Sequence, residues 1–313
     1  MRVVCAPASL KGVLGAVDAA AALAQGMRDG HGEAVELPVA DGGEGTAAVL
    51  HAALGGEWRE ADAEDPLGRA LRARWLLLPD GTAVVESAAA VGLPLLAPEE
   101  LDPLRASTRG LGLLLRAVLA ERPRALLVGL GGSATVDGGA GMRSLLDEIP
   151  VPTKVACDVR TKLLDAARLF GPQKGASPGD VVELERRLAA DGALRPHAGL
   201  EGSGAAGGLG AAFAALGCEL VPGARFVLEK IRLGARIADA DLVVTGEGTV
   251  DATTAEGKAP AEVARVAAER NVRCLLFGGR VEQAPAGVDT VALSGEPARA
   301  RADLVALGRR LVS

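Results

Sequence analysis

The chain has 313 residues, 49% of them hydrophobic and 24% charged, with a net charge of −6. That is enough apolar material for about two domains of ~150 residues, and an acidic balance with scattered arginines excludes a nucleic-acid surface built on a basic stripe. Cys5, Cys157, Cys218 and Cys274 form no C-x-x-C pair and the three histidines stand at no metal-ligand spacing, so zinc and dithiol chemistry lack support. The opening run is too short for a secretory signal and no stretch reaches the ~20 apolar residues of a membrane span, so a cytoplasmic protein without a membrane partner is expected.

In chain order, residues 3–6 read as a buried strand, followed by Pro7-Ala-Ser-Leu-Lys-Gly12 and an alanine-rich helix over 17–28. Ser9 is placed to cap that helix with Lys11 beside its N-terminus, which suits an anion. A second strand over 35–40 runs into Asp41-Gly-Gly-Glu44-Gly-Thr46 and a helix ending at 54. The character then changes: segments 69–78 and 82–87 flank Pro79-Asp80-Gly81 in the form of an antiparallel hairpin. A helix over 108–119 and an apolar run at 125–128 lead into a loop over 129–141 that sets Ser133, Thr135 and Asp137 among six glycines. Beyond it come Cys157-Asp158-Val159, the turn Phe170-Gly-Pro-Gln-Lys174-Gly-Ala, a helix over 181–190 and a second Gly-rich stretch over 202–210. Strands at 241–245, 274–277 and 290–293 close the chain, with helices over 260–270 and 299–311.

Strand followed by helix at both chain ends implies an α/β fold with a parallel sheet covered on both faces. The hairpin and Gly-rich loops of the middle imply a second α/β domain inserted into the first. Residues 1–66 and 240–313 are expected to form one domain and 67–239 the other.

In such sheets ligands bind beyond the carboxyl ends of the strands, and four of those ends carry acid, glycine and hydroxyl together. They are the segments around Asp41, Asp137, Asp158, and Thr245-Gly-Glu247-Gly-Thr-Val-Asp251. Glycine lets backbone N–H groups converge on phosphate oxygens, and carboxylates at strand ends can hold Mg²⁺ or accept a proton from a hydroxyl. Lysine usage points the same way. The chain has 28 arginines and six lysines, and three of the six abut glycine: Lys11, Lys174 and Lys258. A compact point charge next to flexible backbone fits phosphate.

Two phosphate motifs are excluded. Gly202-Ser-Gly204-Ala-Ala-Gly207 follows no strand and lacks the downstream acid of a dinucleotide fold, so it reads as a loop and helix start packed tightly against another backbone. At 252–258 alanine replaces the first glycine of a P-loop, and Ala259 its hydroxyl.

The assembled segments resemble the type I glycerate kinase family. The resemblance rests on Ser9-Leu-Lys-Gly12, Pro38-Val-Ala-Asp-Gly-Gly-Glu-Gly-Thr46, Pro66-Leu-Gly-Arg69, Gly131-Gly-Ser-Ala-Thr-Val-Asp-Gly-Gly-Ala-Gly-Met142, Phe170-Gly-Pro-Gln-Lys-Gly-Ala176, Gly204-Ala-Ala-Gly-Gly-Leu-Gly210, and Thr245-Gly-Glu-Gly248 through Asp251, Gly257, Lys258 and Pro260. These run in family order over nearly the whole chain. The resemblance implies a flavodoxin-like domain from both chain ends and an inserted restriction-endonuclease-like domain. It also implies ATP and Mg²⁺ as cofactors and phosphorylation of D-glycerate, with 2-phosphoglycerate favoured over 3-phosphoglycerate; a homodimer is left open. Another small hydroxy acid as substrate, or a descendant that binds nucleotide without turnover, are the alternatives.

Departures from the family pattern are Val13 for a serine, Val136 for an asparagine, Thr253 for a glutamine, Arg160-Thr-Lys162 after Cys157-Asp-Val159, and a short stretch between Met142 and Val155. Phosphoryl transfer asks for positioning and charge neutralisation. On that basis Asp41 and Asp251 are the candidate general bases, with Asp41 ahead, and Lys11, Lys174 and Lys258 are assigned to phosphate or substrate carboxylate. Gly131, Gly132, Ser133 and Thr135 are assigned to phosphate, with Glu44 on the substrate side, and Asp137, Asp158 and Glu247 to Mg²⁺ or its waters.

Overall fold

The structure, a computed structural model, describes residues 1–251, 254, 258–283 and 287–312. In chain order its strands are β1 (Arg2–Cys5), β2 (Glu33–Glu36), β3 (Glu57–Glu64), β4 (Ala70–Leu77), β5 (Thr82–Glu86), β6 (Ala125–Gly129), β7 (Thr153–Cys157), β8 (Glu219–Pro222), β9 (Leu242–Val250), β10 (Arg273–Val281) and β11 (Asp289–Ala292). They form two sheets, ordered β11-β10-β9-β1-β2 and β3-β4-β5-β6-β7-β8, so the fold is mixed α/β as expected. The chain divides into two compact units, Met1–Asp41, Ala48–Leu54 and Ala224–Ser313 in the first, Gly42–Ala47 and Gly55–Gly223 in the second.

Every strand pair of the first unit's sheet is parallel. Its core joins Val3, Cys5 and Val244 of the sheet to Leu23, Met27, Leu304 and Leu307 of the helices Ala16–Asp29 and Ala300–Val312. These two helices approach backbone to backbone across glycine: a Cβ on Gly26 would stand 1.9 Å from the carbonyl oxygen of Val305, and one on Gly308 2.2 Å from that of Leu23.

The second unit's sheet is antiparallel from β3 to β5 and parallel from β5 to β8. The hairpin expected at Asp80-Gly81 is present, with Gly81 at φ +84° and the Asp80 side chain accepting from Thr82 N at 2.9 Å. The core gathers Trp75, Val85, Leu111, Leu115, Val128, Val155 and Phe213. The helix Pro178–Ala190 opens on a capping box in which Ser177 and Asp180 exchange bonds, a start three residues earlier than apolar spacing alone would place it.

Gly26→Ala tests the helix contact. Alanine favours a helix over glycine by ~1 kcal/mol, but overpacking against fixed backbone costs about 1–3 kcal/mol. Urea unfolding is expected to show a net loss of stability; an unchanged or raised midpoint would show that the two helices separate freely.

Candidate active site

Residues 130–139 leave the end of β6 and are held by backbone on several sides. Leu130 N donates to Ala156 O at 2.9 Å, Ala134 N to Val91 O at 2.8 Å, Leu93 N to Gly132 O at 2.7 Å and Gly138 N to Gly207 O at 3.1 Å. Residues 42–44 rest on the same loop: a Cβ on Gly129 would be 2.6 Å from Gly42 O, and one on Gly131 3.0 Å from Gly43 Cα. On another side a Cβ on Gly207 would fall 2.0 Å from Thr135 O. The stretch 204–210 is therefore a tightly packed loop and helix start, as its sequence implied.

Ser133 and Thr135 are both buried, and the Thr135 hydroxyl has no hydrogen-bond partner among the described residues. Glu44 is exposed, its Oε2 lying 3.3 Å from where a Cβ on Gly132 would be. The Asp137 carboxylate is hydrogen-bonded within the second unit. It accepts from Thr108 N (2.9 Å), Thr108 Oγ1 (2.8 Å), Gly139 N (3.0 Å) and Gly141 N (3.1 Å). The two bonds from Thr108 tie the loop to the start of the helix Arg109–Ala120, and the two from Gly139 and Gly141 hold the loop's own turn.

Lys174 is turned into the same loop. It is 2% exposed, and its Nζ donates to Ser133 Oγ at 3.0 Å and Thr135 O at 2.7 Å. Burial brings its ammonium down to about 7, against a smaller upward pull from Asp137. An ammonium engaged in this way supports the loop from within. Asp158, at the end of β7, is exposed. Pro66-Leu-Gly-Arg69 forms the corner between β3 and β4, where Asp65 accepts from Leu67 N and Arg69 N, both at 2.9 Å.

In the first unit, Leu10 and Leu14 exchange backbone bonds of 2.9 Å, and Lys11 stands exposed on the turn they close. That turn lies against β9: a Cβ on Gly248 would be 3.6 Å from Lys11 N. The helix that follows starts at Ala16 with Gly15 as its N-cap and no side-chain cap, so Ser9 lies too far upstream to cap it.

The end of β9 gathers charge. Lys258 Nζ is 3.8 Å from Glu247 Oε2 and 4.0 Å from Asp251 Oδ1. Burial lifts the Glu247 carboxyl above the usual range; a bond from Thr254 and the charge of Lys258 pull it down, while Asp251 and Asp41 push it further up. Asp41 is half-buried. Thr254, fully buried, was not singled out in the sequence. Its Oγ1 donates to Glu247 Oε1 at 2.8 Å and accepts from Asp251 N at 3.1 Å, and its own N donates to Asp251 Oδ1 at 3.3 Å. The Asp-x-x-Thr spacing of a reciprocal cap was the signal that could have found it.

Of the departures, Val136 is a core residue, 1% exposed among the apolar side chains of the second unit. Arg160 pairs with Glu201 at 3.0 Å through Nε. Val13 is 42% exposed. Thr253 and Gly257 lie outside the described residues.

The donors suit a nucleotide. Glycines at 131 and 132 and the Ser133 hydroxyl are of the kind that meets phosphate oxygens, with the fully buried Thr135 Oγ1 behind them. Mg²⁺ in nucleotide sites takes one or two carboxylates plus phosphates. Among the described residues no group of three or more His, Cys, Asp or Glu makes a protein-only cage, whereas the end of β9 carries carboxylates of the required kind.

A model of the glycerate kinase family matches residues 3–148 and 144–296, breaking where the stretch between Met142 and Val155 is short. The chain is 39% identical to a glycerate 2-kinase of Escherichia coli (strain K12), covering 85% of this chain and 82% of that protein. It is 38% identical to a glycerate kinase of Bacillus subtilis (strain 168), covering 90% and 86%. A crystal structure of a chain assigned as glycerate kinase 2 from Salmonella typhimurium LT2 matches with a TM-score of 0.84 at 33% identity, covering 100% of this chain and 97% of that one. The chain belongs to the glycerate kinase family and is a kinase.

Proposed function

We propose that the chain transfers the terminal phosphoryl group of ATP to D-glycerate in the cytoplasm, giving 2-phosphoglycerate. The observation that carries this reading is the end of β9, where a half-buried, charge-disfavoured Glu247 stands beside Asp251 and Lys258. The choice of the 2-hydroxyl is supported by the relative named glycerate 2-kinase. When bound, Mg²⁺–ATP supplies the phosphoryl group and neutralises part of its charge.

The chain's own residues do the rest. Asp41 accepts the proton of the glycerate hydroxyl as it attacks, and Asp251 is the second candidate for that role. Lys11, exposed on its turn, and Lys258 balance negative charge on phosphate or on the glycerate carboxylate. Glu247 and Asp158 are the carboxylates assigned to Mg²⁺ or its waters. Gly131, Gly132 and Ser133 donate to phosphate oxygens, and Glu44 takes the substrate side. Because the transition state is loose, these groups contribute through placement and charge more than through covalent chemistry.

Release of ADP with D-glycerate, L-glycerate and related hydroxy acids tests the reading. D-glycerate is expected to be turned over fastest, and protection of the fold by ATP without turnover of any acceptor would favour a non-catalytic binder. Asp41→Asn is expected to lower turnover about 10²–10⁴-fold with the fold intact, the loss typical of a general base. If Asp41→Asn and Asp251→Asn both fold and both turn over at the wild-type rate, neither carboxylate is the base.

A further inference from the structure

Lys174 is the unusual charge of the second unit. Lysine is almost never fully buried unless paired, because an ammonium taken from water must recover its hydrogen bonds. Here both known acceptors lie on one loop, Ser133 Oγ at 3.0 Å and Thr135 O at 2.7 Å. Backbone aims the side chain there. Lys174 N donates to Gly171 O at 2.9 Å, and Gly175 follows at φ +94°, where a Cβ would be 2.4 Å from Leu101 O.

The direction of these bonds has a consequence for the loop. In its charged form, which a bound phosphate favours, the ammonium can only donate, so Ser133 Oγ is the acceptor and its own hydrogen is turned elsewhere. Thr135 gives up its carbonyl to Lys174, while its buried hydroxyl has no partner among the described residues. The loop thus has one hydroxyl whose acceptor side is occupied and another still to be paired, with a positive charge beneath them.

We propose that Lys174 is a positioning residue that acts through Ser133: from inside the loop it directs the Ser133 hydroxyl hydrogen onto a bound phosphate group and supplies positive charge behind that hydroxyl without touching the phosphate. This rests on the reading of the loop as the phosphate-binding element of a kinase. It differs from a role for Lys174 as a direct phosphate ligand, because it makes the serine and the lysine one functional unit.

Inorganic tripolyphosphate is the probe, since it carries phosphate chemistry without the glycerate acceptor. Its binding to the full chain is followed by thermal unfolding, and turnover with ATP is measured alongside. Wild type is expected to be stabilised by tripolyphosphate; Lys174→Met and Ser133→Ala should each weaken that binding about tenfold or more. The double variant should bind no more weakly than Lys174→Met alone, because the two groups act through one hydrogen bond. In turnover the loss should appear in KM for ATP, with KM for the acceptor unchanged; a purely structural role would lower the active fraction and leave KM alone.

Additive losses in the double variant, unchanged tripolyphosphate affinity in Lys174→Met, or no stabilisation of wild type would each overturn the proposal. Should Lys174→Met fail to fold, Ser133→Ala decides, and wild-type affinity in that variant overturns it. Tripolyphosphate binding that depends on Ser133 and Lys174 in a chain that does not phosphorylate glycerate would uphold this inference and overturn the proposed function instead.

Discussion

The second unit depends on contacts between stretches of backbone where side chains are missing. Residues 42–44 and Gly207 press directly on the loop after β6, and Asp137 ties that loop to the start of the helix Arg109–Ala120 with two bonds accepted from Thr108. A loop so held loses little entropy when a ligand arrives, which is what preorganisation requires. Several glycines that looked like anion ligands in the sequence are in part packing devices. Gly129 and Gly131 admit the backbone of residues 42–44, and Gly207 admits the Thr135 carbonyl.

Charge follows a similar division of labour. In the second unit the buried ammonium of Lys174 sits inside the loop and is satisfied by it. In the first unit Glu247 is half-buried beside Asp251 and within reach of Lys258, with Thr254 fixing its orientation. Burial works against the charge of both groups, lowering the lysine and raising the glutamate. Binding polyphosphate and a divalent cation would place opposite charge near each kind of group, which favours their ionised forms.

Much of the fold was legible because it is written in apolar runs. β1, β9, β10 and β11 and their helices follow strand and helix periodicity closely. β3 was not legible, and its register shows why. Arg59 faces Trp75 with its guanidinium 5.6 Å from the ring, and Asp62 faces Arg72 at 2.9 Å. Such a strand is stabilised by cross-strand pairs and carries no apolar alternation to read. Residue types at the site were visible in the sequence, but which way they face was not. Lys174 points inward and Asp137 caps a helix because of partners at Ser133 and Thr108, both distant along the chain. Val136 shows the converse, a departure from the family pattern that lies in the core.

The central claim is a kinase that places phosphate on the secondary hydroxyl of glycerate. Following ATP and D-glycerate by ³¹P NMR with the purified chain tests it most directly. The account predicts loss of the ATP γ-resonance and growth of a phosphomonoester signal split by a single methine proton; an ATP spectrum that does not change, or a phosphomonoester split by two methylene protons, would contradict it.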